Sequence, residues 1–451
     1  MRHLLVLFLV LSCSNSDDEV PSQCDAQSRS PPPPIFLDWH VGVGCGFSGF
    51  FCEFLGIAGA LEAALPGRVA LFSGTCGDEF TGEGGLLFPA ERSVVRRLQR
   101  RQADSRQQRD ADRLSVVHGA CTAAKVAQVR AAHSAGPAAA RRHRVIARVM
   151  TEAAGALPAA LLGCALAADE VWVPTAWHAK QFGRAGVPAS KLAVVGEAVD
   201  GTLFARGEPL QRRRERLGHQ APFTFLSTFK WEFRKGWDVL LKAYWQAFGP
   251  ADGVRLLLRA WKPSWERGDP NLAQQASDLA RRQGLRQSDL ARLEWLGPDW
   301  EPAAAAGAGT GGSSGSEALS REALRAALES ADAFVLPTRG EGWGLPVAEA
   351  MTMGMPTLVT NFSGPTAFAT ATNALPIPVK HVDARTGLAE PDVDALARLM
   401  QRVVESARTG SAANDALGHA ARQDMLEHWS PRAVAGTILA RARAIMLRVE
   451  E

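Results

Sequence analysis

No apolar run in this 451-residue chain reaches the roughly 18 residues that a membrane-spanning helix needs. The run nearest the start, Leu4–Leu11, is eight residues long and too short to cross a bilayer. Charge of one sign is lacking too. Lys and Arg number 50 against 47 Asp and Glu, and a formal net charge of +3 is too small to imply nucleic acid. The seven cysteines, at positions 13, 24, 45, 52, 76, 121 and 164, include no C-x2-C pair, which argues against a zinc site. Two Asp-x-Asp triplets are the nearest approach to a metal-binding pattern. Asp110-Ala-Asp112 lies in an Arg-rich polar stretch, and Asp392-Val-Asp394 lies at a helix start, where acids are favoured. No metal is expected.

What is present describes an ordinary globular protein, with 46% hydrophobic and 22% charged residues. Met1-Arg-His, the Leu4–Leu11 run and Ser12–Ser16 have the basic, apolar and small-residue regions of a signal peptide over 1–16. That reading places the mature chain in the secretory pathway (ER or Golgi lumen) or outside the cell. The alternative is a buried first strand in a cytoplasmic protein. Loss of Cys13 would leave six cysteines, an even number compatible with disulfides; scattered core thiols are the default. All seven cysteines fall in the first 164 residues.

After a linker at 17–34 with the Pro31–Pro34 run, short apolar segments alternate with stretches of helical pattern. Ile35–Asp38, Val69–Phe72, Leu114–Val117, Arg144–Ala147, Glu170–Val173 and Lys191–Val195 read as one series of strands. Phe223–Leu226, Val254–Leu258, Arg292–Leu296, Ala333–Pro337, Pro356–Val359 and Leu375–Ile377 read as a second. Each series predicts a parallel, doubly wound α/β sheet. The domains are expected at 35–210 and 211–430, with a low-complexity insertion at 303–316 and a C-terminal helix over 431–451.

The segment Thr338-Arg-Gly-Glu-Gly-Trp-Gly-Leu-Pro-Val-Ala-Glu-Ala-Met351 carries the chemistry. A strand feeds a glycine-broken loop, and Pro346 opens an apolar helix whose N-terminus offers free N–H groups to an anion. Gly342 and Gly344 let backbone approach a ligand, Leu345 follows them, and Glu341 and Glu349 place a hydrogen-bond acceptor on each side. A phosphorylated, hydroxyl-rich ligand fits, such as a sugar nucleotide. Glu341-x7-Glu349 within EGWGLPVAEAM resembles the signature of retaining glycosyltransferases of the GT-B fold, in the large family called GT4 (glycosyl transferases group 1). That resemblance implies two Rossmann-like domains facing a cleft, a nucleoside-diphosphate sugar as donor and no metal. It implies that Glu341 contacts the donor sugar and Glu349 the ribose, with the amides after Glu341 helping to hold sugar and phosphates.

Further matches extend the resemblance over roughly 115–440. In Ser227–Asp238, Lys235 would hold the donor diphosphate with Arg234 beside it. Relatives place another basic residue six positions before that Lys; here Phe229 stands there, and neighbouring Lys230 is expected to serve. Gly364 keeps one of the family's glycine pair, with Ala367 where Glu is frequent and Asn373-Ala374 in place of Asn-Gly. Asp169–His178 and Val194–Asp200, with Phe204, resemble the end of the first domain and the crossover into the second. His118 ends a strand like the family's His near the donor sugar; a packed histidine is the equal alternative. The loop Gly42–Gly49 holds Gly44-x-Gly46-x-x-Gly49, read as a phosphate and acceptor loop. Taken alone it also fits an NAD-dependent oxidoreductase. The acceptor (glycan, lipid or protein) is not readable. Arg92–Arg113 is a basic stretch read as a solvated helix face, with contact to anionic lipid as the alternative. A non-catalytic sugar-nucleotide or glycan binder is the other reading of the whole. A glycosidase is disfavoured, since it would need neither the phosphate-binding helix start nor the Arg-Lys-Gly loop.

Overall fold

The computed structural model describes residues 34–41, 49–72, 89–102, 111–134, 142–208, 210–218, 221–263, 271–296 and 321–447. The expected signal peptide, the loop holding Gly44 and Gly46, and the insertion at 303–316 lie outside them.

Apolar runs of four to eight residues, buried on both faces, need helices above and below, and the chain supplies them in alternation. The first half runs β1 (Ile35–Val41), α1 (Gly49–Ala64), β2 (Val69–Phe72), α2 (Pro89–Arg100), β3 (Asp112–His118), α3 (Ala123–Ala131), β4 (Arg142–Arg148), α4 (Ala159–Ala167), β5 (Glu170–Val173), α5 (Ala176–Arg184) and β6 (Leu192–Val194). After α6 (Leu210–Leu217) the second half runs β7 (Phe223–Lys230), α7 (Trp237–Ala247), β8 (Val254–Trp261), α8 (Leu272–Arg282), β9 (Arg292–Trp295), α9 (Arg321–Glu329), β10 (Ala333–Leu336), α10 (Leu345–Thr352), β11 (Thr357–Thr360) and β12 (Leu375–Ile377). A hairpin of β13 (Val379–Val382) and β14 (Ala389–Pro391) precedes α11 (Val393–Arg408), α12 (Ala413–His428) and α13 (Pro431–Leu447).

Both expected sheets form, each of six strands and wholly parallel. The first has the order β2-β1-β3-β4-β5-β6 and the second β12-β11-β10-β7-β8-β9. The strand order reverses between β1 and β3 in one sheet and between β7 and β10 in the other. Loops leaving the carboxyl ends of strands at such a reversal diverge to opposite faces and leave a crevice.

The two halves are tied by chain crossings as well as loop contacts. Val195–Gly201 crosses into the second half beside the end of α12, where Val199 N–H donates to the Trp429 carbonyl at 2.9 Å. The chain then returns. Val434, Ile438, Ile445 and Met446 of α13 are buried in the apolar core of the first sheet, with Leu37, Phe54 and Leu61. Burying four such side chains contributes about 2 kcal/mol each.

Three local outcomes differ from the expectations. β7 runs on to Lys230, because Ser227–Lys230 continue to pair with Leu258–Trp261 of β8. The β13–β14 hairpin was not anticipated, since Lys380, His381 and Val382 are exposed and carry no apolar alternation. The basic stretch Arg92–Arg113 does not end on a solvated face: Arg113 is on β3, 1% exposed, and pairs with buried Asp38 of β1. A guanidinium inside a sheet needs such a carboxylate.

Cys121, just after β3, and Cys164 on α4 form a disulfide, with Cα atoms 5.7 Å apart and a sequence separation of 43. Both lie in the core of the first half, so the expectation of free core thiols gives way to a staple there. Cys52 is the one free cysteine among the described residues. Closing a loop of this length restricts the unfolded chain, and Cys164→Ser should cost about 2–4 kcal/mol. Urea unfolding of wild type with and without reductant checks this; coincident midpoints would show that the bridge is absent.

Candidate active site

The candidate groups converge at the reversal of the second sheet, on loops leaving β7, β10 and β11. The loop after β7 closes with a 3-10 turn, Phe233–Lys235, and then Gly236, which has φ 70° and N-caps α7. A Cβ on Gly236 would lie 1.9 Å from the Pro337 carbonyl oxygen, so only glycine lets the loops from β7 and β10 touch. Arg339 N–H then donates to the Arg234 carbonyl at 2.7 Å.

This contact sets Lys235 against Glu341. Lys235 Nζ lies 2.6 Å from Glu341 Oε1 and 2.8 Å from Oε2. Arg234 Nη1 donates to the Gly340 carbonyl at 2.7 Å and sits 3.5 Å from Glu341 Oε2. The loop after β11 completes the setting: Ser363 Oγ accepts from Glu341 N–H at 2.9 Å, and Gly364 N–H donates to the Glu341 carbonyl at 3.1 Å. Burial works to raise the Glu341 carboxyl, but Lys235 and Arg234 outweigh it and hold it below the usual carboxylate range. Burial likewise draws the Lys235 ammonium below its usual value, opposed by Glu341. The pair therefore sets a carboxylate directly against the Lys235 side chain, each compensating for the other's burial.

Gly342 meets the first half, where a Cβ would fall 2.2 Å from Met150 Sδ just beyond β4. Gly344, at φ 105°, N-caps α10, and Leu345 and Pro346 open that helix. Glu349 thus falls on the second turn of α10, beyond the first-turn amides. It is 4% exposed and 3.5 Å from Arg321 Nη1. Burial, only partly offset by Arg321 and reinforced by Glu91, pushes its carboxyl up to about 7. Lys230, the last residue of β7, is half-buried, and its charge is felt at the thiol of Cys52 on α1.

His118 lies apart from this cluster. Its ring is fully buried: Nδ1 accepts from the Trp39 indole at 3.1 Å, and Nε2 lies 2.8 Å from Glu53 Oε2. Arg148, ending β4, donates to Glu53 Oε1 at 2.6 Å and to the Gly196 carbonyl at 3.3 Å. Glu197 joins this group from the crossover. Burial, with Glu53 and Glu341 adding to it, raises its carboxyl well above the ordinary value.

Sequence reasoning missed several supports. Arg339, 2% exposed, bonds Asp238 at 2.7 Å and Glu390 at 2.8 Å and covers the Phe233 ring at 3.8 Å, clamping the Arg-Lys loop to the hairpin. Its place beside Gly340 was the available signal. Ser363, the one non-glycine residue with positive φ among those described, gave none. Asp392 N-caps α11 through Ala395 N–H, as expected of a helix-start acid. Among the described residues no three His, Cys, Asp or Glu side chains gather to hold a metal ion, and no helix is long and apolar enough to cross a membrane.

Residues 316–424, which contain Glu341, Glu349 and Gly364, match the family Glycosyl transferases group 1. No curated protein matches the chain. Similar solved structures include HepE of Anabaena in complex with UDP and glucose, at TM-score 0.60 and 14% identity, covering 91% of this chain and 100% of that one. A glycosyltransferase from Rickettsia africae follows at TM-score 0.61 and 12% identity, covering 92% and 100%. Sucrose-phosphate synthase of Thermosynechococcus elongatus has TM-score 0.58 and 15% identity, covering 91% and 99%. At such identities the likeness establishes the fold, the two-sheet GT-B architecture. With the match over 316–424 it supports a glycosyltransferase.

Glu349 makes ligand-free stability depend on pH. Its folded value of about 7 exceeds the ordinary 4.5, so between the two the folded chain holds a proton that the unfolded chain has lost. Stability contributed below pH 4.5 is therefore lost as pH rises to about 7, by about 3 kcal/mol at most. Glu349→Gln should remove that slope and raise the melting temperature at pH 8. An unchanged slope in thermal melts from pH 5 to 8 would assign it to another group.

Proposed function

We propose that the protein is a retaining glycosyltransferase of the GT4 kind, moving a sugar from a nucleoside-diphosphate sugar to a glycan, lipid or protein acceptor. The observation that carries this reading is the Lys235–Glu341 pair, 2.6 Å apart at the reversal of the second sheet, between the loops that precede α7 and α10. HepE, one of the similar structures, is seen with UDP and glucose, which supports a donor of this class.

Each residue then has a task. Lys235 turns from Glu341 to the donor diphosphate, with Arg234 beside it and Lys230 behind. Fixed cations there stabilise the charge that grows on the leaving diphosphate more than they stabilise the bound donor. Main-chain N–H groups of Gly342, Gly344 and Leu345 follow Glu341 into the start of α10 and help to hold sugar and phosphates, while Gly364 N–H fixes the loop by bonding the Glu341 carbonyl. Glu341, released from Lys235, accepts from sugar hydroxyls; Glu349 accepts from the ribose. No metal is assigned, because two basic side chains already face the diphosphate. The first half, where the acceptor would lie, contributes Glu197, while His118 braces Glu53 from behind. The Cys121–Cys164 disulfide supports a secretory-pathway location, since such bonds persist in oxidising compartments.

Glu341→Gln should lower donor turnover, to acceptor glycans or to water, by about a hundredfold or more with the far-UV circular dichroism unchanged. Lys235→Met should lose turnover on a similar scale. Full turnover in either folded variant would remove the assignment.

A further inference from the structure

Arg321 heads α9, and its guanidinium meets one carboxylate from each half of the molecule. Nε lies 3.0 Å from Glu91 Oε1 on α2, and Nη1 lies 3.5 Å from Glu349 Oε1 on α10. All three side chains are buried, at 7%, 6% and 4% exposure, and the Phe204 ring lies 5.1 Å from the guanidinium. Cys52 adjoins the group, but burial pushes its thiol up to about 12, so it brings no charge. Among the described residues, Glu322, next along α9, and Lys230 at the end of β7 are also felt there. One buried cation is thus divided between two anions, with Glu91 the nearer.

That division bears on Glu349. Ribose hydroxyls approach it as donors. An ionised carboxylate accepts two such bonds, each about twice as strong as a neutral one. A protonated carboxyl must instead find an acceptor for its own O–H. Whatever keeps Glu349 ionised therefore strengthens its hold on ribose, and whatever draws Arg321 away weakens it. We propose that Arg321 is a positioning residue for Glu349, and that Glu91, reaching it from the first half, limits the charge Glu349 receives and so lowers the affinity for the nucleotide. The inference rests on the reading of Glu349 as the ribose contact.

Two substitutions at one cluster should then act in opposite directions. Arg321→Met removes the cation and weakens nucleotide binding. Glu91→Gln removes the competing anion, leaves the shape, and strengthens it. A cluster that merely holds the halves together would weaken binding in both variants. Isothermal titration of the full chain at pH 7.5 with UDP, GDP and ADP, each in turn, decides the matter. The nucleotide that binds wild type should bind Arg321→Met about tenfold more weakly and Glu91→Gln about threefold more tightly. Arg321→Lys, which keeps the charge, should recover most of the loss, and the double variant should follow Arg321→Met. If Arg321→Met does not fold, Glu91→Gln and Arg321→Lys still decide. Binding by Glu91→Gln no tighter than wild type would overturn the proposal alone. Binding of none of the three nucleotides to wild type would overturn it together with the donor-site reading.

Discussion

Lys235 and Glu341 are held 2.6 Å apart, the carboxylate buried and the Lys235 side chain largely so, and each offsets the cost of drawing the other from water. An isolated buried ion costs several kcal/mol even after the protein relaxes, and the attraction repays this only when the remaining donors and acceptors are satisfied. Here they are. Arg234 takes the Gly340 carbonyl, and the Glu341 main chain is bonded to Ser363 and Gly364. Arg339 ties the loop carrying Lys235 to the loop carrying Glu341 and to the hairpin. The glycine at 236 and the positive φ at Ser363 follow from the need to bring three loops to one point.

A pair kept at that cost is poised for exchange. A diphosphate offers Lys235 another anion, and sugar hydroxyls offer Glu341 other donors. One buried ion pair is then replaced by two charge-assisted contacts to ligand. Glu349, Arg321 and Glu91 repeat the logic with fewer charges to share: two buried carboxylates divide one guanidinium, and Glu349 is left close to half-protonated at neutral pH. Around His118 the polar groups of the first half form a third such cluster, in which burial beside Glu53 raises the Glu197 carboxyl well above its ordinary value.

The sheets were legible because their strands are short, apolar and doubly buried, so that Val69–Phe72 or Ala333–Pro337 can be read almost residue by residue. Glu341 and Glu349 were legible because glycines and a proline mark the loop and helix between them. The pairing of Lys235 with Glu341 was not, since 106 residues separate them and only the adjacency of β7 and β10 joins them. Buried arginines were the recurrent miss. Arg113, Arg148, Arg321 and Arg339 look solvent-bound in a sequence, because their acidic partners lie on other elements. The Cys121–Cys164 pairing was hidden for the same reason, and the exposed β13–β14 hairpin had no apolar pattern to show.

The central claim is that the Lys235–Glu341 pair marks a nucleotide-sugar site. The most direct measurement is a thermal-shift panel of UDP-, GDP- and ADP-sugars, with NAD alongside, on wild type and on Lys235→Met. A ligand that binds only the folded state raises the melting temperature. The account predicts that one nucleotide family stabilises wild type and has little effect on the variant. Stabilisation by NAD alone, or an equal shift in both proteins, would contradict it.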